Sequence, residues 1–285
     1  VCRNLIWKKS SCIITRRSDP MNIFRFELKS NIKSTIIWIL AMCLTVYFFM
    51  MAFPAYSDNS QGIIKVLKNY PPELLKALGM DINQFFSSIG FYSFVLIYIE
   101  LLAAMQAMML ALGTSGRELR TRTSEFLVTK PISRWTILAA KSSAVLVILV
   151  ITNLSITLTS LYAVSAVTKE PFSVTALLMV CLSTFLLQLV FAAMGILLGV
   201  TFRKLRSVAP VSLGIVFGFY VVNMLKGIFD DKWIRYFSPF QFFEKYSIIA
   251  TKSFDSVFLI WSVVLIVGML IVGFVYYVKK DIHAV

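Results

Sequence analysis

Hydrophobic positions fall into six long runs: Ser34–Phe53, Ile89–Leu112, Ile137–Ala166, Val174–Phe202, Val208–Leu225 and Ser256–Val278. Each is near the roughly 20 residues that cross a bilayer as a helix. At that length only a helix satisfies its own backbone groups in lipid, so an all-α membrane protein with six transmembrane helices is expected. The third and fourth runs exceed the need and are expected to tilt or project from the membrane. Ahead of the first run, Ile23, Phe24, Leu28 and Ile32 are set at helical spacing against Arg25, Lys29 and Lys33. That fits either a short amphipathic helix over Met21–Ser34 on the inner headgroup surface or a basic flank of the first span.

Two polar connections carry patterns of their own. Pro54–Ser88 contains Pro71-Pro72 and a helical spacing of Leu74, Leu75 and Leu78, which predicts a short surface helix. Lys226–Phe254 is rich in Phe, Trp and Tyr and is divided by Pro239. Aromatic residues favour the headgroup level, so one reading is an interfacial loop. The other is a re-entrant pair of half-helices between helices 5 and 6, allowed where they are buried in protein or face water.

Composition narrows the class. The chain is 58% hydrophobic and only 15% charged, against about 25% charged in ordinary soluble domains. A net charge of +14 would suggest nucleic acid in a soluble domain, but here the basic residues follow the loops, so no nucleic-acid partner is expected. They concentrate in the N-terminal segment, between Arg117 and Lys141, in Arg203-Lys204-Leu205-Arg206 and in Lys279-Lys280, which places both termini in the cytosol. Residues Val1–Pro20 are basic and lack a run long enough for a signal peptide, and Met21 opens what reads as a natural start. Residues 1–20 are therefore expected to be an extension without a role, and 21–285 a single six-helix domain. Four cysteines, two in the tail and two in apolar runs, imply neither a disulfide framework nor a metal site.

Candidate chemistry is sparse. Glu100 is the one acid deep inside a predicted span, where a carboxylate must face protein or water. Either it serves a substrate path or gate, or it is a hydrogen-bonded Glu that holds two helices together. Gly195-x-x-x-Gly199 and Gly214-x-x-x-Gly218 each put two small residues on one helical face, for packing within the chain or for a dimer seam through the fifth span. Met105, Met108 and Met109 share helical spacing, read as adaptable packing or as a greasy export surface. Asn153-Leu154-Ser155 matches a glycosylation sequon but lies within a span, and His283 is the only histidine. No catalytic residues are assigned. An intramembrane enzyme would need a richer polar constellation than Glu100, Gln106 and Gln188 offer. An ion-driven transporter would more typically show two related halves.

The most patterned polar stretch is Gly116–Lys141, GRELRTRTSEFLVTKPISRWTILAAK. Its acid-base order, followed by Pro131-Ile132-Ser133-Arg134 and by Lys141 at the start of the third span, resembles the first cytosolic loop of bacterial ABC-2 type transporter permeases. Ser238-Pro239-Phe240 and the closing Tyr277 to Ile282 are also similar, so the likeness spans Met21 to His283. One departure is Arg122, where the family usually has Gly. The resemblance implies a permease subunit of an ATP-binding cassette transporter, an exporter of the plasma membrane, working as a homodimer or with a second permease. It also implies a cytosolic ATP-binding subunit that holds ATP and Mg, since this chain has no phosphate loop and binds no cofactor of its own. The docking loop, residues 113–136, would offer Glu118, Arg122, Thr123, Glu125, Pro131, Ser133 and Arg134 to that subunit, with Lys141 beyond it. Pro131 would stop a helix at Lys130 and fix the angle at which the third span leaves.

Overall fold

The computed structural model describes residues 20–58, 60–71, 74–75, 85–117, 133–168, 172–202, 207–228 and 232–279. Among them every regular element is helical. These are α1 (Pro20–Asp58), α2 (Ser60–Leu67), α3 (Ser88–Ser115), α4 (Arg134–Val167), α5 (Val174–Thr201), α6 (Val208–Ile228), α7 (Lys232–Phe237), a 3-10 turn (Pro239–Gln241), α8 (Lys245–Thr251) and α9 (Ser256–Lys279). Five of these, α1, α3, α4, α5 and α9, are long and apolar enough to cross a membrane; in α6 the apolar stretch Val208–Met224 is shorter. The chain is thus a multi-pass membrane protein. Residues 1–19, and the motifs 203–206 and 280–283, lie outside the described residues.

The starts of three spanning helices follow from local chemistry. Ser87, Ser133 and Ser173 each sit in extended backbone, and their hydroxyls accept from the amides of Gly90, Thr136 and Ala176. Serine at this position satisfies an amide that the first turn otherwise leaves open.

Of the two readings of the N-terminal segment, the structure has the flank continuous with the first span. Residues 20–58 form one helix of 39 residues, about 58 Å at 1.5 Å per residue. No glycine, and no proline between Pro20 and Pro54, interrupts it. One stripe, Glu27, Thr35, Met42, Val46, Met50 and Phe53, is buried along the whole length. In the Met21–Ser34 stretch the side packed on protein is that of Glu27, while Ile23, Phe24 and Leu28 are half-buried and Ile32 is exposed. Pro20 sits at the first helical position, where its missing N–H costs nothing. Pro54, expected to begin a loop, lies inside the helix; one lost hydrogen bond near an end is tolerated. In the following connection the structure describes α2 and a helical turn at Leu74 and Leu75, with Leu75 buried; Leu78 lies outside the described residues.

Helix α3 is the centre of the bundle. In its most apolar window 67% of residues are buried, against 17% for α9. It packs on α5 above all, then on α1, α4 and α6, while α1 runs along α4 and α9 along α5. At one end of the bundle the start of α1, the end of α3, the start of α4 and the end of α5 come together. Residues 118–132 connect α3 to α4 at this end, here termed the loop end.

The segment after α6 folds back onto the bundle. The 3-10 turn puts Phe240 against Phe191 of α5 (5.3 Å) and Tyr220 of α6 (5.8 Å). Ser238 Oγ donates to the Phe219 carbonyl at 3.2 Å, and the Gln241 amide donates to Asn223. Arg235 ties the turn to α9 through Asp255 at 3.3 Å and the Phe258 ring at 3.8 Å.

Candidate functional site

The predicted docking residues divide sharply. Glu118, Arg122, Thr123, Glu125 and Pro131 lie outside the described residues. Ser133, Arg134 and Lys141 are described, and each is engaged within the chain. Ser133 is the N-cap of α4. Arg134 Nη1 donates to the Val278 carbonyl in the last turn of α9 at 3.4 Å, where a cation complements the unsatisfied carbonyl end of a helix. The neighbouring Trp135 stacks on Phe274 of α9 at 4.4 Å.

Lys141 is 3% exposed. Its Nζ donates to the Thr114 carbonyl at 2.8 Å and lies 3.9 Å from Glu27 Oε1. Thr114 belongs to the last turn of α3, whose carbonyls have no helical partner. Arg117, just past α3, pairs with Glu27 at 3.0 Å, donates to Ser30 Oγ at 2.6 Å and lies over the Phe26 ring. Glu27 itself is 2% exposed. One carboxylate of α1 thus reaches Arg117 before the connecting loop and Lys141, two turns into α4, after it.

The sequence reading missed Glu27 because it weighed the basic side of the Met21–Ser34 pattern. The available signal was that Glu27 is the only acid in α1 before Asp58, in register with Asn31 and Thr35.

Deeper in the bundle, Glu100 of α3 is buried and pairs with Lys245, the first residue of α8, at 2.6 Å. Lys245 belongs to the aromatic connection Lys226–Phe254, between predicted spans. Nearby polar groups link α3, α4 and α5. Tyr92 donates to Ser160 Oγ at 2.7 Å and meets Cys181 Sγ at 3.2 Å, and Gln106 Nε2 donates to Thr152 Oγ1 at 3.1 Å.

The two glycine pairs have opposite surroundings. A Cβ on Gly195 would stand 2.8 Å from Ala111 Cβ, and one on Gly199 would overlap Ser115 Oγ. These glycines let α5 approach the end of α3. A Cβ on Gly214 or Gly218 would meet nothing within 4 Å. Gly199→Ala is accordingly expected to destabilise by about 1–3 kcal/mol through overpacking. Gly214→Ala should leave the fold unchanged within about 0.5 kcal/mol. Thermal unfolding in detergent distinguishes the two.

Buried ion pairs joining helices, without a constellation that bonds to a reacting group, define a helical membrane protein whose polar groups set helix positions. The family described as "ABC-2 family transporter protein" matches residues 21–282, and the chain belongs to that family. No curated protein matches the chain. Family and helices together support an ABC transporter membrane subunit, a transport component rather than an enzyme.

Proposed function

We propose that the chain is the permease subunit of an ABC exporter in the plasma membrane, with both termini in the cytosol. A separate ATP-binding subunit, holding ATP and Mg, docks on residues 118–132. In this reading α6, 21 residues long and so about 31 Å, is the sixth span. The turn between α7 and α8 is a re-entrant element, supported by Phe240 packing against α5 and by Lys245 reaching Glu100. The open face of α6, with Gly214, Gly218 and the exposed Phe217 and Val221, receives a second permease copy.

The observation that carries the reading is the double grip on Glu27. Arg117 stands at the start of the connecting loop and Lys141 two turns into the helix that follows it, and both reach the same carboxylate of α1. Arg134 adds the end of α9. A partner that displaces residues 118–132 would therefore move α1, α3, α4 and α9 together.

The test is co-purification of the chain with an ATP-binding subunit, followed by charge reversal at Glu125. Glu125→Arg is expected to weaken that association about tenfold, the scale of one lost interfacial charge contact. Unchanged association together with unchanged coupling of hydrolysis to transport would remove the docking role.

A further inference from the structure

Between α1 and α3 lies a cavity of about 100 Å³, lined by Asn31, Ser34, Thr35, Trp38 and Gln106, with Met109 and Leu110 on its apolar side. The hydrogen bonds already made decide what it still offers. Asn31 Nδ2 donates to the Glu27 carbonyl at 2.8 Å, Thr35 Oγ1 to the Asn31 carbonyl at 2.9 Å, and Gln106 Nε2 to Thr152 Oγ1 at 3.1 Å. Thr35 Oγ1 thus spends its one donor within the bundle, while Asn31 Nδ2 and Gln106 Nε2 each keep a second N–H. Asn31 Oδ1, the Thr35 Oγ1 lone pairs and Gln106 Oε1 remain as acceptors, and Ser34 is able to donate or accept. Gln106 is 2% exposed, and its Oε1 has no partner. A buried acceptor left in this state favours any ligand that donates to it.

Charge and size narrow the ligand further. No ionised side chain lines the cavity. An ammonium or a phosphate would each enter without a counter-charge, which is unfavourable away from water. The volume is well below the roughly 300–1,000 Å³ that encloses a whole drug-sized ligand. It suits a small polar end whose apolar body stays outside, beside Trp38 and Leu110.

We propose that this cleft binds the polar end of an uncharged, hydroxyl-bearing amphiphile of the monoacylglycerol type. The hydroxyls donate to Gln106 Oε1 and Asn31 Oδ1, and the alkyl body passes Trp38 into the bilayer. The inference goes beyond the permease reading and needs no ATP-binding partner.

Trp38 lies in the wall, so its fluorescence reports occupancy. The full chain in phosphatidylcholine nanodiscs is titrated with a monoacylglycerol brominated on its acyl chain. The Trp38 contribution is the difference from the Trp38→Phe protein. Saturable quenching is expected, with the brominated methyl ester of the same fatty acid, which has no donor, binding at least tenfold more weakly. Gln106→Leu should lower monoacylglycerol affinity about tenfold and leave the ester unaffected. Thr35→Val, which removes a neighbouring acceptor, gives the same comparison should Gln106→Leu misfold. Equal quenching by alcohol and ester would mean that water fills the cleft while lipid passes by, and would overturn the proposal. So would the absence of quenching by either, which would mean that a second copy of the chain covers this face. ATP hydrolysis is not part of the readout, so failure of the permease reading leaves this result standing.

Discussion

Lys245→Met is expected to lower the stability of the folded chain by about 3–5 kcal/mol, the cost of leaving one member of a buried ion pair unpaired. Glu100 and Lys245 meet at 2.6 Å with side chains 4% and 10% exposed. Glu100 has no water to fall back on once its partner is gone. Glu100→Gln should cost less than Lys245→Met, because the amide still accepts from Lys245 and strands only a lysine near the bundle surface. The double variant Glu100→Gln/Lys245→Met should recover much of the loss, since two neutral groups replace two charges. The measurement is a double-mutant cycle by thermal unfolding in detergent. Additive losses would show that the pair does not hold α8 to α3. Substrate transport is expected to fall with stability in Lys245→Met, because α8 then has no polar anchor on the central helix.

The spanning helices were legible because hydrophobic runs and their capping residues point the same way. Ile137 and Val174 mark apolar starts within three residues of the structural starts of α4 and α5, and Ser133 and Ser173 supply the caps. The continuity of α1 was one of two open readings. A basic, amphipathic helix beside a span has the same periodicity whether its apolar side meets lipid headgroups or another helix, and only the burial of Glu27 separates these. Lys245 was hidden for a related reason. Charge counting assigns every residue between spans to water, and it cannot register a loop that folds back onto Glu100. The glycine motifs show the limit of one-dimensional spacing. Gly195-x-x-x-Gly199 and Gly214-x-x-x-Gly218 are identical patterns, yet α3 crosses one and, among the described residues, nothing comes within 4 Å of a Cβ on the other.

The motif of the connecting loop also has a second meaning. Residues read as a docking surface, Ser133, Arg134 and Lys141, make a cap, a contact with a helix end and a buried bond to α3. They fix where the loop begins and ends. The direct contacts of a partner would then fall on residues 118–132 between them. If the proposed docking holds, one pattern of charges combines two tasks, joint and surface, which the sequence alone does not separate.

Glu27→Ala should be the most disruptive single change at the loop end. It removes the carboxylate that reaches both Arg117 and Lys141, at a site where Lys141 is 3% exposed. A loss of about 3–5 kcal/mol is expected, as for other broken buried pairs. Lys141→Met should cost less. Its distance to Glu27 is the longer one, 3.9 Å against 3.0 Å for Arg117, and its removal leaves the Glu27–Arg117 pair intact. Glu27→Gln separates packing from coupling: the amide keeps its place in the α1 stripe but no longer holds both cations by charge. If α1 is moved through this joint, Glu27→Gln will lower transport-coupled ATP hydrolysis severalfold while assembly with the ATP-binding subunit persists. The order Glu27→Ala, then Arg117→Met, then Lys141→Met in unfolding temperature, from most to least damaged, follows from the distances. An equal effect of all three would place the stabilisation in packing and remove Glu27 from the transmission path.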